Sequence, residues 1–213
     1  MRKNNIPKKY LIYFALLTLV ISFSGCSKTS NVKSLDTQYI SPSYVVDMNN
    51  PKEVVGSSSN VFIGYIEEMT DTYYISNLPY TRYNVKVINN IKGELPIDST
   101  VRVNKEGGIS ENSSYYILLE NDFLPDEGEY YIFNVRERSE DGSYTASGIN
   151  SVVLINDIDM QSVTGDITPD NSNASNIKQE SDEDIVVNEL ENSEIYQKYV
   201  DAYKNQIVFD PNK

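Results

Sequence analysis

The sequence predicts an all-β domain that closes into a barrel or packs as a two-sheet sandwich. Two observations carry this prediction. Short apolar runs alternate with turn residues from 46 to 156, and no long helical pattern separates these runs. Six or so short strands at close spacing are typical of barrels and sandwiches. A short helix before the strands and an amphipathic helix near the carboxyl end complete the predicted architecture.

The segment from Pro51 to Ser58 predicts the short helix. Asn50 can cap it, because its side-chain oxygen can accept a hydrogen bond from a free backbone N–H of the first turn. Pro51 suits the first helical position, where its missing N–H is not needed. After this segment the apolar period changes from about 3.6 residues to about 2, which marks the first strand.

The strands are indicated by their apolar patterns. Every residue from Val61 to Ile66 except Gly64 is apolar or aromatic, which predicts a strand buried on both faces. From Tyr83 to Ile91 apolar and polar residues alternate, which predicts one face on a core and one in water. The series continues in the segments 100–104, 115–120, 130–135 and 151–155, with a break at Gly107-Gly108 and a hairpin signal at Asp141-Gly142.

The first 25 residues predict a secretory signal peptide. Basic residues precede an apolar run, from Leu11 to Phe23, that is too short to span a bilayer stably. The run ends in Phe23-Ser24-Gly25-Cys26, which resembles the lipobox of bacterial lipoproteins, although Phe23 stands where Leu is usual. The resemblance implies that Cys26 becomes the amino terminus and carries a diacylglycerol, whose two acyl chains hold firmly. The alternatives are an ordinary signal peptide that ends near a lone Cys, or an uncleaved helix.

Composition divides the remainder of the chain. Ser27 to Tyr44 is polar without an apolar period, which predicts a flexible tether. Asn156 to Glu194 holds eleven acidic residues, one basic residue and no aromatic, which predicts a solvated linker without an EF-hand pattern. Loose, weak association of calcium with this stretch is the alternative interpretation. The predicted organisation is a signal peptide (1–25), a lipidated Cys with its tether (26–45), the β domain (46–156), the acidic linker (157–192) and a carboxyl-terminal helix (193–209).

Charge and residue usage exclude several function classes. The net charge is −13, and removing the four basic residues before Cys26 leaves −17 for the remainder. Such a polyanion repels nucleic acid, whose binding depends on cations that displace counterions. The chain has no His and one Cys, which excludes His-ligated zinc, His-based triads and an internal disulfide. We therefore expect no metal and no cofactor.

Four motifs follow one another through the strand series. They are the Ile63-Gly64 strand end, a V-x-V-x-x-x-x-K-G strand from Val85 to Gly93, the Gly107-Gly108 break, and a strand that opens with Gly-Glu, from Gly128 to Phe133. In this order they resemble a module common in exported proteins of Gram-positive bacteria, which is similar to OB-like barrels of the netrin type. The resemblance implies a small, closed or partly open OB-like barrel and an exported, non-enzymatic domain of largely unknown role.

Tyrosines supply the candidate ligand-binding residues. Tyr73, Tyr74, Tyr80 and Tyr83 flank the expected loop after the first strand, and their rings suit stacking on a sugar or a peptide. Packing in the core or at its rim is the alternative interpretation.

The carboxyl-terminal segment supplies candidate docking residues. Ile195, Tyr199, Tyr203 and Ile207 recur every four residues, which predicts a helix with one apolar face. That face either packs on the β domain or docks a partner.

Catalytic patterns are weak. Two S-x-x-K matches, Ser30–Lys33 and Ser175–Lys178, lie in polar stretches that cannot hold a nucleophile beside its base. Glu67 and Glu68 are adjacent on a strand and should point to opposite faces. The remaining carboxylate cluster, Asp126, Glu127 and Glu129, lies in an expected turn.

These observations favour a lipid-anchored, non-catalytic binding or scaffold module on the extracytoplasmic face of the cell membrane, with a protein, peptide or glycan ligand. The alternative is an immunity or inhibitor lipoprotein that intercepts a cationic peptide or a cell-surface enzyme, since opposite charge steers encounter. A carboxylate-dependent cell-wall hydrolase is the third hypothesis and the least favoured.

Overall fold

The computed structural model of the protein describes residues 35–155 and 182–210, with the side chains of the second range described from Val186 onward. The predicted signal peptide, Cys26 and most of the predicted acidic linker lie outside the described residues. Within them the chain is largely β, which confirms the predicted fold class at this level.

The described residues form nine strands and three helices. In chain order they are β1 (Asp36–Ile40), α1 (Pro51–Ser57), β2 (Asn60–Ile75), β3 (Leu78–Lys92), β4 (Thr100–Glu106), β5 (Gly108–Ile109), β6 (Tyr115–Leu119), β7 (Tyr130–Glu137), β8 (Tyr144–Ala146), β9 (Val152–Leu154), α2 (Asp182–Asn192) and α3 (Glu194–Lys204).

Five strands pair in a closed ring. The order is β2-β3-β4-β8-β7, and β7 pairs back with β2, so that each of the five has two neighbours. The β4–β8 pairing is parallel and the other pairings in the ring are antiparallel. Strand β9 adds to β7, and a separate small sheet has the order β1-β6-β5.

The β2–β3 hairpin is longer than the sequence predicts. A loop is expected after Ile66, but β2 continues to Ile75 and β3 begins at Leu78. Ser76 and Asn77 form the connection with φ angles of 51° and 67°, the conformation that a two-residue hairpin turn requires. The turn contains no Gly, so its sequence signal is weak.

The interior of the ring holds the first hydrophobic core. Its largest apolar members include Phe62, Tyr83 and Phe133, and the rings of Phe62 and Phe133 stack with centroids 5.3 Å apart. Gly64 lies beside them because there is no room for a side chain. A Cβ at this position would lie 2.4 Å from Val85 Cγ1 and 2.9 Å from the Phe133 ring.

A second hydrophobic core lies between the outer face of the ring and the helices. Val61 and Ile63 of β2 and Ile132 of β7 are fully buried there, against Leu190 of α2 and Tyr199 of α3. Alternate residues of β2 therefore enter the two cores, which explains why this strand is apolar on both faces. The burial of β2 that the sequence predicts depends on the helical layer as well as on the ring.

Two expected segments have more structure than the composition indicates. The sequence predicts a tether up to residue 45, but from Asp36 onward the chain is ordered. Strand β1 pairs with β6, and the Tyr44 hydroxyl accepts a hydrogen bond from the Ile149 N–H at 3.1 Å. The acidic linker was expected to reach residue 192, but α2 occupies Asp182–Asn192 and buries Leu190. In both segments, contacts with residues distant in sequence supply the stabilisation.

A buried ion pair joins the small sheet to the ring. The Lys105 ammonium at the end of β4 donates to the Asp122 carboxylate, which follows β6, and to the Gly148 carbonyl at 3.2 Å. Both side chains are almost completely shielded from solvent. Burial lowers the pKa of Lys105 and raises the pKa of Asp122, and the attraction between the two groups opposes both shifts. The pair therefore tolerates burial only while both partners are present.

We expect Asp122→Ala to lower the free energy of unfolding by about 3–5 kcal/mol, because it leaves Lys105 buried without its counter-charge. The double variant Lys105→Met/Asp122→Ala removes both charges and should be more stable than the single variant. Urea unfolding measures both.

Asp71→Ala is the control for this comparison, because Asp71 pairs with Arg82 at 2.8 Å where both side chains are partly exposed. We expect it to cost about 1 kcal/mol or less. A double variant that is no more stable than Asp122→Ala would contradict the account of the buried charge.

Candidate functional site

A cavity of about 630 Å³ lies between the outer face of the ring and helix α2. Pockets of about 300–1,000 Å³ are the size that binds small organic ligands or short segments of larger ones. Its sheet side is formed by β2, β3 and the start of β7. The loop between β3 and β4 forms one end, and α2 forms the opposite wall. We refer to this cavity as the cleft.

Two tyrosines line the sheet side of the cleft. Tyr65 of β2 lies directly opposite Tyr130 of β7 in the antiparallel pairing, and the ring centroids are 5.0 Å apart at an interplanar angle of 49°. Ile88 of β3 lies beside this pair and is half-buried. The two rings and Ile88 give the cleft an apolar and aromatic surface.

Charged groups surround this aromatic surface. Lys86 is the cross-strand partner of Tyr65 and forms an ion pair with Asp98 of the β3–β4 loop at 3.0 Å. The Glu67 carboxylate accepts a hydrogen bond from the Thr100 hydroxyl at 2.8 Å. These contacts hold two carboxylates and one ammonium at the sheet side and the loop end of the cleft.

A β-bulge places Glu67 at the cleft. The register of β2 against β3 shifts between Ile66 and Glu68, so simple alternation does not hold there. Glu68 contacts Asn84, and Glu67 contacts Thr100, the cross-strand partner of Lys86. Asn84 and Lys86 lie two residues apart on β3 and share a face. The prediction that Glu67 and Glu68 point to opposite faces is therefore corrected by the bulge.

Helix α2 forms the second wall of the cleft. Val186, Val187, Asn188 and Glu191 line it. The Glu191 carboxylate accepts a hydrogen bond from the Asn89 side-chain amide of β3, which links the helix to the sheet at one side of the cleft. Leu190 is 0% exposed in the second core and holds α2 in this position. The cleft exists because α2 is docked.

Three of the four candidate tyrosines lie toward the tip of the β2–β3 hairpin and contact their own domain. Tyr73 and Tyr80 stack with centroids 5.4 Å apart, and the Arg82 guanidinium lies 4.2 Å from the centre of the Tyr73 ring. The Tyr73 hydroxyl accepts from Arg138 at 2.9 Å, and the Tyr74 hydroxyl donates to the Ile109 carbonyl at 3.1 Å. These contacts fit the alternative interpretation of rim packing.

The fourth tyrosine, Tyr83 of β3, faces the interior of the ring. Tyr83 is 1% exposed and belongs to the first core. A ligand therefore cannot reach the Tyr83 side chain while the strand ring is closed. Burial raises its pKa strongly. On the hairpin, burial and the nearby Glu106 carboxylate raise the pKa of Tyr80 to about 12, and its hydroxyl donates to that carboxylate at 3.2 Å. The structure brings Tyr73 and Tyr80 together and separates them from Tyr83.

The candidate docking residues of the last helix are divided by their packing. Tyr199 is buried in the second core and Ile195 packs against it, in agreement with packing on the β domain. Tyr203 and Ile207 are exposed, and Ile207 lies beyond the end of α3, where its N–H donates to the Lys52 carbonyl at 2.9 Å. Two of the four predicted docking residues are therefore packed against the domain itself, and two are not.

The candidate catalytic groups are not brought together by the described part of the chain. Asp126, Glu127 and Glu129 are exposed, and Glu127 accepts the Met69 N–H at 2.6 Å. Both S-x-x-K matches lie outside the described residues. No group of three or more acidic, Cys or His side chains within the described ranges is arranged to hold a metal ion. In those ranges no helix has the length and apolar character needed to cross a bilayer.

Comparison with known proteins adds no relative. No protein-family model matches the sequence, and no curated protein matches it significantly.

Sequence reasoning missed the residues of the cleft. Tyr65 and Tyr130 read as strand residues, and Glu191 reads as part of an acidic linker. The one usable signal is the apolar outer face of β2, which requires a covering layer. It does not identify α2 as that layer, because the two elements are far apart in the chain.

We expect Leu190→Ala to loosen α2 while the strand ring stays folded. Removing a fully buried Leu side chain costs about 2–5 kcal/mol, and here the loss falls on the helical wall. Amide hydrogen exchange should accelerate in α2 more than in β7. Val187→Ala, at a half-buried position on the same helix, is the control and should change exchange little. Equal acceleration in α2 and β7 would contradict separate opening of the wall.

Proposed function

We propose that the protein is a lipid-anchored, extracytoplasmic binding module without catalytic activity, in which the strand ring is a small OB-like barrel. The observation that carries the proposal is the cleft between the ring and α2. It combines an aromatic surface with a few polar groups in fixed positions, which is typical of binding sites. A protein, peptide or glycan at the cell surface is the proposed ligand.

The rigidity of the cleft supports binding. Its polar side chains are positioned by hydrogen bonds and an ion pair, from Thr100 to Glu67, from Asn89 to Glu191 and between Lys86 and Asp98. Preformed positions reduce the entropy that a ligand must lose on binding.

The sequence supports the anchor. A basic segment, a short apolar run and a small-residue stretch precede Cys26, the only Cys in the chain. Two acyl chains on that sulfur would hold the protein at the membrane, because each buried CH₂ contributes about 0.8 kcal/mol.

We expect mass spectrometry of the protein from bacterial membranes to find an amino terminus at Cys26 that carries a diacylglyceryl thioether. Cys26→Ser should release the protein into the medium. Ser24→Ala keeps Cys26 and is the control, which should stay in the membrane fraction. An unmodified Cys26, or a mature chain that begins elsewhere, would refute the anchor.

A second experiment tests binding in the cleft. With p-benzoylphenylalanine in place of Val187, ultraviolet irradiation of intact cells should give a discrete covalent adduct, because that position lines the cleft. The control replaces Ile75, which is exposed at the tip of the β2–β3 hairpin. Absence of an adduct at 187, or the same adduct from both positions, would count against the cleft as the binding site.

A further inference from the structure

We propose that the cleft selects a peptide segment that places a lysine or arginine side chain beside an apolar residue. The inference rests on the proposed function, since it names the ligand class of the same cleft. It is drawn from the charges of the lining residues, from the aromatic pair and from the apolar wall.

The charges of the cleft do not cancel. Among its described lining residues there are three carboxylates, those of Glu67, Asp98 and Glu191, and one ammonium, that of Lys86. Lys86 is paired with Asp98 at 3.0 Å. Glu67 and Glu191 accept hydrogen bonds from neutral donors, a hydroxyl and an amide, and within the described ranges neither forms an ion pair with a cation. Two carboxylates therefore favour a positively charged group.

The aromatic pair favours the same kind of group. Tyr65 and Tyr130 are half-buried and line the cleft between the strands and the helix. A cation over a tyrosine ring is attracted by the negative face of the ring, and more strongly when the cation is desolvated. An acidic ligand would meet repulsion from the carboxylates, and a neutral sugar would leave their charge uncompensated.

The apolar wall distinguishes a peptide from a free cation. Val186 and Val187 on α2 and Ile97 on the β3–β4 loop line the cleft together with the charged groups. Lysine and arginine have an aliphatic stem below the charged head, so one side chain can contact apolar and acidic surfaces at once. A neighbouring apolar residue of the peptide would cover the remaining wall. A small hydrated amine has no apolar side chain to place against this wall.

The test measures binding of three probes to the full protein by isothermal titration calorimetry. They are an acetylated, amidated hexapeptide of alternating lysine and leucine, its glutamate–leucine counterpart, and free spermidine as a competitor. We expect the lysine peptide to bind at least about tenfold more tightly than either of the others, with an affinity that falls as salt is raised. Spermidine that competes at the same concentration as the peptide would overturn the role of the apolar wall.

The decisive variant is Glu67→Gln/Glu191→Gln, which removes the two charges and keeps oxygens that can accept from Thr100 and Asn89. We expect a loss of affinity of about tenfold or more. Glu111→Gln/Glu120→Gln is the matched control, because it removes the same net charge from exposed positions that do not line the cleft. Equal losses in the two variants would show general attraction to a polyanion and overturn the selective site.

The experiments distinguish a failure of the proposed ligand class from a failure of the proposed binding module. A cleft adduct at position 187 together with no preference for the lysine peptide would refute the ligand class and leave the binding module standing. A missing adduct would refute the binding module itself. Unchanged thermal unfolding of both double variants verifies that the comparison is made between folded proteins.

Discussion

The outer face of β2 and β7 must be covered, and the architecture outside the strand ring follows from this constraint. Val61, Ile63 and Ile132 face away from the ring interior and are fully buried. At about 25 cal/mol per Å² of apolar surface, exposing three such side chains would cost several kcal/mol, a large part of the stability of a small domain. Helices α2 and α3 meet this requirement, and the space that they leave at the edge of their contact is the cleft.

Local sequence patterns predict the parts of the fold that depend on local physics. Alternation identifies β3, the Asn50-Pro51 pair marks α1, and Asp141-Gly142 marks the β7–β8 connection. The parts that sequence reasoning missed depend on partners distant in the chain. Strand β1 reads as tether because its stabilising partner, β6, lies about eighty residues away. Helix α2 reads as linker because it is rich in acidic residues, and the sequence does not show that Leu190 among them is buried.

The candidate site shows the same division more sharply. The positions of the tyrosines in the sequence indicate a binding surface on the β2–β3 hairpin. In the structure these rings contact arginines and each other. The pair at the cleft, Tyr65 and Tyr130, is separated by more than sixty positions and joins only through the β2–β7 pairing. The bulge that exposes Glu67 is a further non-local feature, since it depends on the register against β3. Side chains without a distinctive sequence pattern are thus brought together at the cleft by the pairing of distant strands.

One wall of the cleft is helix α2, which docks on the ring through Leu190, Val186 and the hydrogen bond from Asn89 to Glu191, and this docking links ligand binding to the position of the helix. A ligand that contacts both walls binds only the docked form, so it shifts the equilibrium toward docking by mass action. At a ligand concentration one hundred times the dissociation constant, the docked form gains about 2.7 kcal/mol. Conversely, a molecule whose helix is undocked cannot bind the ligand. The apparent association constant is therefore the intrinsic constant multiplied by the docked fraction. Under the proposed function, the fit of α2 to the strand ring would thereby set how strongly a ligand is retained.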